Sequence, residues 1–541
     1  MAMPSSLEGQ VQDDHVPHPS IARVGAARSA FVGRTLRGPV DRPVTVRSFN
    51  EFSQVFGGLW QPSLLGYAVE QFFDNGGREA LVVRVVNGAR AATLCLPAGA
   101  EKLVLRAVRP GTREFLRACV DYDNIPGNNT EEFNLTVQRV RTQGTIRVED
   151  QETYRALSVR PGAAAHVEKA LSDSELVRLV GPAPSSRPLR TLDPASGLAT
   201  AYIYSNSDGD DGDPLTDYDL IGSPRERTGL FALDAADYFD FLVIPPISRG
   251  RDLGISTLIV AARYCKRRQA LLIVDPPKEW HTADEALRSV REWGFASEDA
   301  FMYFPRILAL DKLRGRFETF APCGAVAGML SRADALRPQW ASPETEEPVL
   351  RPGYRPSCLV PEYARVKLAA LGVNVIHSVR APERVAQAPR TLGLGSAGAA
   401  DWQYLATRRF ALSVVRSLEL GTRWVAAPQA RESLRTTVEA QVRAFFETLH
   451  REGAFGDRSA EEAFFVICDD RFCGRSDASP QRLDLVVGFA AARCGEYHSY
   501  RITQTPAGGK IQPVTVNRLK YQQFSPGEIE WVDRLADQLQ P

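Results

Sequence analysis

The sequence predicts an α/β chain of the α+β multidomain kind, with an open doubly wound α/β core, a mainly β insertion domain and extended terminal arms. Three observations carry this. A strand, two helices and a buried strand follow one another between Phe31 and Val86. The same rhythm returns between Phe241 and Ile376. Between the two, from about residue 91 to 215, the texture changes to short alternating runs cut by Pro, Gly and Asn.

Taken in order, residues 1–27 carry Pro, Gly, Asp and His without helical period and read as an extended arm, with Ile21 and Val24 just before the first apolar strand. Ala30 to Gly33 read as that strand, Leu36 to Pro43 as turns, and Val44 to Val46 as extended chain. Ser48 and Glu51 stand at capping-box spacing, where the hydroxyl accepts from a first-turn amide and the carboxylate reaches back to the cap. Phe49, Phe52, Val55 and Phe56 give this short helix its buried face, and Gly57-Gly58 stop it. Leu64, Leu65, Ala68, Val69, Phe72 and Phe73 form the stripe of a second helix, ended by Asn75-Gly76-Gly77. Ala80 to Val86 is apolar except for Arg84, which suits a strand buried on both faces of a mostly parallel sheet.

Leu103 to Val108 and Phe133 to Val137 typify the β region, and the Asp/Gly-rich Ser205 to Pro214 marks the return to the core. Strands are expected at Phe241–Ile244, Leu271–Val274, Ala300–Phe304 and Val373–Ile376, with helices between. A long amphipathic helix follows, with Leu434, Val438, Val442, Phe445, Phe446 and Leu449 on one face, and then strands at Leu485–Ala490 and Tyr497–Thr503. The tail offers a strand at Ile511–Val516 and a helix at Pro526–Leu539. The expected divisions are 1–27 arm, 28–90 and 216–385 α/β core, 91–215 insertion, 386–504 inner domain with edge strands, and 505–541 extension.

Composition narrows the function. At 541 residues the chain exceeds a single ordinary core, and 44% apolar with 24% charged residues marks a globular protein. Lys plus Arg and Asp plus Glu both number 65, so net charge is zero and no basic run is built to neutralise phosphates, which argues against nucleic acid. There is no apolar run of about 18 residues, and the polar start from Met1 to Pro19 lacks the apolar core of a signal peptide. The expectation is synthesis in the cytoplasm without membrane insertion. Eight cysteines scattered over the chain do not form a disulfide scaffold and are expected as reduced thiols.

Candidate chemistry is sparse. Gly393, Gly395 and Gly398 match G-x-G-x-x-G, but an Arg/Pro/Gln-rich loop precedes them where a dinucleotide site needs a strand. Asp275 ends an apolar strand, a position that could serve a nucleotide-using α/β enzyme, yet Pro276-Pro277 follow and no phosphate loop accompanies it; a capping role is favoured. The acidic Asp208, Asp210, Asp211, Asp213 and Asp217 lack the Gly and Glu positions of a calcium loop. His15 with His18, and Cys468 with Cys473, lack a second ligand pair. No G-x-S-x-G, Walker or H-E-x-x-H motif is present. No catalytic residue, cofactor or metal is therefore expected. The helix after Pro428 carries Arg435, Glu439, Arg443, Glu447 and Arg451 at four-residue steps, either a solvated face or a polar docking stripe.

One ordered set of residues resembles a known family. Phe31-Val32-Gly33, Gly38-Pro39, Pro43-Val44, Phe56-Gly57-Gly58 and the string Phe72-Phe73-Asp74-Asn75-Gly76-Gly77 leading to Val83-Arg84-Val85 are similar to the contractile tail sheath proteins of phages, R-type pyocins and extracellular contractile injection systems. Further matches follow in order, among them Phe133-Asn134-Leu135, Val274-Asp275-Pro276, Pro322 to Gly328, Gly372-Val373-Asn374 and Arg390-Thr391-Leu392. The chain departs from the family in lacking a Pro-Gly-Val-Tyr opening, in having Pro428-Gln429 in place of Pro-Asn, and in continuing past Gln504.

The resemblance implies a structural, non-enzymatic subunit that polymerises in stacked rings around an inner tube and contracts to drive the tube through a target envelope. Its implied partners are itself, the inner tube protein, baseplate and tail terminator proteins and paralogous sheath subunits. It would be made in bacterial cytoplasm and assembled into a phage tail or tail-like particle. Members exchange terminal arms by β-augmentation. On this chain that places inter-subunit strand exchange at Ile21, Val24, Leu485, Val487, Tyr500 and Ile502, and tube docking on Arg435, Glu439, Arg443 and Glu447. A receptor-binding module that does not self-assemble is the reading from a third class.

Overall fold

The structure, a computed structural model, describes residues 20–25, 27–141, 145–192, 201–340, 349–376, 388–393, 402–426, 431–468, 483–490, 497–505 and 508–514. The chain divides into two compact units, Ala26–Pro338 with Ser342–Leu405, and Met1–Gly25 with Gln339–Ala341 and Ala406–Pro541.

The larger unit begins with β1 (Ser29–Gly33), β2 (Val44–Val46), α1 (Phe49–Phe56), α2 (Leu65–Asp74) and β3 (Ala80–Arg84). Ser48 caps α1 by accepting from the Glu51 N–H at 3.1 Å, while the Glu51 carboxylate accepts from Arg47, one residue before the cap, at 2.7 Å. Half of the expected capping box is therefore displaced by one residue, a reach the longer Glu side chain allows. Gly57 closes the helix at φ 92°, where its N–H donates to Ser53 O.

The next elements are β4 (Thr93–Ala98), β5 (Glu101–Ala107), β6 (Leu116–Asp121), β7 (Glu132–Arg141), β8 (Arg147–Ser158), α3 (Val167–Ser172), β9 (Val177–Leu179) and β10 (Ile203–Tyr204). They form two antiparallel sheets, ordered β10-β6-β7-β8 and β4-β5-β9. Leu94, Leu103, Leu105, Leu116, Phe133 and Leu135 share one core with Val167 and Leu171 of α3. Chain entry and exit lie side by side: Arg90 and Asp210 exchange backbone hydrogen bonds of 2.9 and 2.8 Å.

The unit continues through α4 (Asp217–Ile221), β11 (Phe241–Val243), α5 (Ile255–Arg268), β12 (Leu271–Val274), α6 (Ala283–Ser289), β13 (Ala300–Phe304), β14 (Ile307–Asp311), β15 (Arg316–Phe320), α7 (Cys323–Leu336), β16 (Arg355–Pro356), α8 (Glu362–Ala370) and β17 (Val373–Val375). Seven strands make one sheet in the order β17-β13-β12-β11-β1-β3-β2. All its neighbours pair in parallel except β2, which lies antiparallel on the β3 edge. Strand order reverses between β1 and β11. β14, β15 and β16 form a separate small antiparallel sheet.

Alternation along each strand sends side chains to two buried faces. On one, Ala30, Val32, Leu81 and Leu272 join Leu258 and Cys265 of α5 and Leu368 of α8. On the other, Phe31 meets Phe72 of α2 edge-on at 5.3 Å between ring centroids. There α7 presses directly on α2: a Cβ at Gly324 would stand 2.1 Å from Ala68 O, and one at Gly328 2.2 Å from Phe72 O. This contact explains why Leu65 to Phe72 are buried all round, Glu70 and Gln71 included. Glu70 keeps an ion pair with Lys312 at 2.7 Å.

The smaller unit holds α9 (Leu405–Gly421), α10 (Arg431–Arg451), α11 (Ala460–Ala463), β18 (Phe464–Ile467), β19 (Leu483–Phe489), β20 (His498–Thr505) and β21 (Gly508–Val514). The four strands form an antiparallel sheet in sequence order. The expected strand at Ile511–Val516 is thus β21, shifted toward the N-terminus, and the expected helix at Pro526–Leu539 lies outside the described residues.

Candidate subunit interface

In the smaller unit, one face of the four-stranded sheet carries Leu483, Leu485, Val487 and Phe489 of β19 opposite Gln504, Ile502, Tyr500 and His498 of β20. Phe464 and Val466 of β18 and Ile511 of β21 continue this face. α9 and α10 cover it with aromatic rings: Phe446 stacks on Phe464 at 5.0 Å, and Phe410 meets Phe489 edge-on at 5.9 Å. Val438, Val442, Phe445 and Leu449 complete the buried side of α10, each large side chain contributing about 1.5–3 kcal/mol. Burial, with Arg408 nearby, holds His498 neutral down to a pKa of about 4.

The four residues expected to exchange strands on this sheet, Leu485, Val487, Tyr500 and Ile502, are 4% exposed or less and make up its core. Their strands are the two central ones, hydrogen-bonded on both sides, β19 between β18 and β20 and β20 between β19 and β21. A central strand has no backbone groups left to offer. Among the described residues the open edges are the outer sides of β18 and β21. On the face of the sheet away from the helices, Asp484 is buried and accepts from Arg501 Nε at 2.9 Å and Thr503 Oγ1 at 2.5 Å.

The other two expected exchange residues lie near the start of the chain. Ile21 and Val24 lie in a segment without strand pairing that is strapped to its own chain. Ile21 is buried against Gly421 at the end of α9, so close that a Cβ there would stand 2.8 Å from Ile21 Cγ2. Val24 N–H donates to Ser417 Oγ at 3.0 Å. Arg23 pairs with Glu452 at 3.3 Å and covers the Trp340 ring at 5.1 Å. An apolar residue, a backbone donor and a cation are each satisfied, so this part of the arm is bound in place by its own unit.

The charged stripe on α10 is present. Arg443 and Glu447 are exposed and Arg435 and Glu439 half-buried, and Arg443 pairs with Glu439 at 3.1 Å. Arg451 bonds Thr448 Oγ1 at 3.0 Å. Two elements the sequence reading leaves out shape this region. α9 is signalled by the helical stripe Phe410, Ala411, Val414, Val415 and Leu418, and β18 by the apolar run that follows Ser459 and Glu462 at capping-box spacing.

The larger unit shows where nucleotide chemistry would stand. In open α/β sheets a ligand occupies the crevice at the carboxyl ends of the strands where the order reverses, here after β1 and β11. Protein fills the β1 end. Arg34 donates to the carbonyls of Asp211 and Gly212 at 2.9 and 2.6 Å and lies on the Trp60 ring at 4.8 Å. Arg84, 1% exposed, donates to Gly38 O and Pro110 O at 2.8 and 3.0 Å. At the end of β12, Asp275 accepts from the first-turn N–H of Cys323 at 2.9 Å and caps α7, and burial pushes its carboxyl up to about 6.

The other sequence candidates are equally occupied. Asp210 pairs with Arg90, Asp211 accepts from Thr112, and Asp217 accepts from Gly254 N–H and Thr257 Oγ1 at the start of α5. No group among the described residues has the makings of a metal site. Gly393 rests against the Glu298 backbone; Gly395, Gly398, His15, His18 and Cys473 lie outside the described residues. Six described cysteines are free thiols, and no described helix is long and apolar enough to cross a membrane.

No family model matches this sequence, and no curated protein matches it. Solved structures do. A tail sheath protein from Listeria innocua superposes with a TM-score of 0.58 at 11% identity, covering 90% of this chain and 96% of its own. The sheath of an extracellular contractile injection system, PVC, in the contracted state, superposes with a TM-score of 0.50 at 14% identity, covering 91% and 96%. Over nine-tenths of its length, the chain has the fold of contractile tail sheath subunits.

Proposed function

We propose that this chain is the structural subunit of a contractile sheath, one that polymerises around an inner tube and contracts to drive the tube through a target envelope. The observation that carries this is the shared fold over 90% of the chain, both units included, with a tail sheath protein. In this reading the doubly wound core, the mainly β insertion at 91–215 and the inner region at 386–504 are the working parts. Work comes from repacking between subunits rather than from catalysis. The partners are further copies of the chain, the inner tube, the baseplate and the terminator, with paralogous sheath subunits in the same particle. The site of action is a phage tail-like particle built in bacterial cytoplasm, extracellular in some systems.

Strand exchange in this reading uses the outer edges of β18 and β21, since β19 and β20 have none to give. The N-terminal arm, residues 1–27 with Ile21 and Val24, takes part in the exchange, its Ser20–Gly25 stretch held on its own unit. The α10 stripe of Arg435, Glu439, Arg443 and Glu447 faces the tube. Electron microscopy of the purified chain, alone and with its tube protein, tests the proposal. Helical tubes or stacked rings are expected. Dispersed particles that bind a nucleotide would replace it with the enzyme reading, and dispersed particles that bind cell surfaces with the receptor-binding one.

A further inference from the structure

The hairpin of β14 and β15 turns apolar side chains to solvent. Leu310 and Phe317 are direct cross-strand partners and are 48% and 56% exposed. Leu313, in the turn between them, is exposed to the same degree as Leu310. The tip that presents them is braced from within. Asp311, fully buried, accepts from the backbone N–H of Leu313 at 2.9 Å and Arg314 at 3.1 Å and from Tyr67 OH at 3.1 Å, and pairs with Arg249 at 2.6 Å. Arg249 in turn lies over the Tyr67 and Phe320 rings. An apolar trio held rigid in water has had the ordering cost of docking removed in advance.

The charge reaching solvent around the trio is cationic. Lys312 and Arg316 each have a partner within the chain, Glu70 at 2.7 Å and Glu318 at 2.6 Å, but the cations are 57% and 68% exposed while Glu70 and Glu318 are 7% and 19% exposed, so it is the cationic ends that reach solvent. A complementary ligand is an apolar stripe with acidic flanks.

The chain carries such a stripe itself. Ser525, Pro526 and Glu528 have the spacing of a helix start. Ile529, Val532, Leu535 and Leu539 then recur at helical intervals. Glu528, Glu530, Asp533 and Asp537, four acids against the single Arg534, leave the segment at −3. We propose that the outer face of the β14–β15 hairpin docks the acidic segment 525–539 of a second copy of this chain, through Leu310, Leu313 and Phe317 against its apolar stripe and Lys312 and Arg316 against its carboxylates. Each copy then holds one donor and one acceptor, a head-to-tail contact that propagates from copy to copy. It stands on the hairpin and the segment and does not depend on the sheath reading.

The full-length chain with the photo-crosslinker p-benzoylphenylalanine at position 317, and separately at 313, is mixed in equal amounts with ¹⁵N-labelled chain, irradiated and read by mass spectrometry. Cross-links from the unlabelled hairpin to labelled residues 525–539 are expected, and Leu535→Asp in the labelled copy should lower their yield about tenfold. Cross-links confined to one copy, cross-links to another segment, a yield indifferent to Leu535→Asp, or none from either probe would each overturn the proposal.

Discussion

Replacing Asp275 with Asn separates the mechanical reading from the catalytic one and gives a measurable pH signature. The folded carboxyl sits at about 6, raised from an ordinary 3.8 chiefly by burial, with the Cys323 thiol, the Arg306 charge and the Cys323 amide opposing. Between those two pH values the folded chain keeps a proton that the unfolded chain has released. This group's contribution to stability therefore falls as pH rises from about 4 to about 6 and is level above that. A shift of this size corresponds to about 3 kcal/mol. Asn cannot ionise, yet its carbonyl oxygen can still accept from Cys323 N–H and cap α7. The variant should match the parent near pH 4 and exceed it by up to about 3 kcal/mol at pH 7, read as a melting-temperature difference that grows across that interval. A difference independent of pH would refute the assignment of the titration to Asp275. The same sample should still form tubes; loss of assembly in a variant that melts no lower than the parent would show that the carboxylate does more than cap a helix.

Three further expectations follow from packing and charge. Gly421→Val should expel Ile21 from its seat, at an overpacking cost of about 1–3 kcal/mol, and expose the chain near Arg23 to trypsin; unchanged digestion there would count against the strap. Asp311→Ala strips Arg249, Tyr67 and the hairpin turn of their common acceptor, and should destabilise the larger unit by about 3 kcal/mol with faster amide exchange at residues 312–315. Exchange as slow as in the parent would mean the turn stands without it. Arg435→Glu with Arg443→Glu breaks an exposed ion pair worth about 0.3–0.5 kcal/mol, so thermal stability should hold while co-assembly with the tube weakens; undiminished co-assembly removes the stripe from the tube interface.

Much of the fold was legible because its strands are buried on both sides. Leu271–Val274 and Ala300–Phe304 read as unbroken apolar runs, and every residue in them is buried. The β14–β15 hairpin is not legible for the opposite reason: with Leu310 and Phe317 facing solvent and Asp311 facing inward, its polarity is inverted and no apolar–polar alternation survives. The candidate interface is legible only in part. A period of two tells that Leu485, Val487, Tyr500 and Ile502 share a face, but which strands are central depends on pairings between residues far apart in sequence, such as Phe464 of β18 with Phe489. Likewise nothing local to Ile21 announces a seat beside Gly421, four hundred residues later.

The paired ends at Arg90 and Asp210 carry a consequence for modularity. Because the polypeptide leaves the central body and re-enters it through two adjacent, mutually hydrogen-bonded residues, everything between them is topologically a graft. A short turn could bridge the gap, provided it offers a carbonyl to Arg84 of β3 in place of Pro110 O, and a foreign domain with neighbouring termini could be set there on the same condition. An engineer choosing where to display a peptide or an enzyme on the protein is handed the same port.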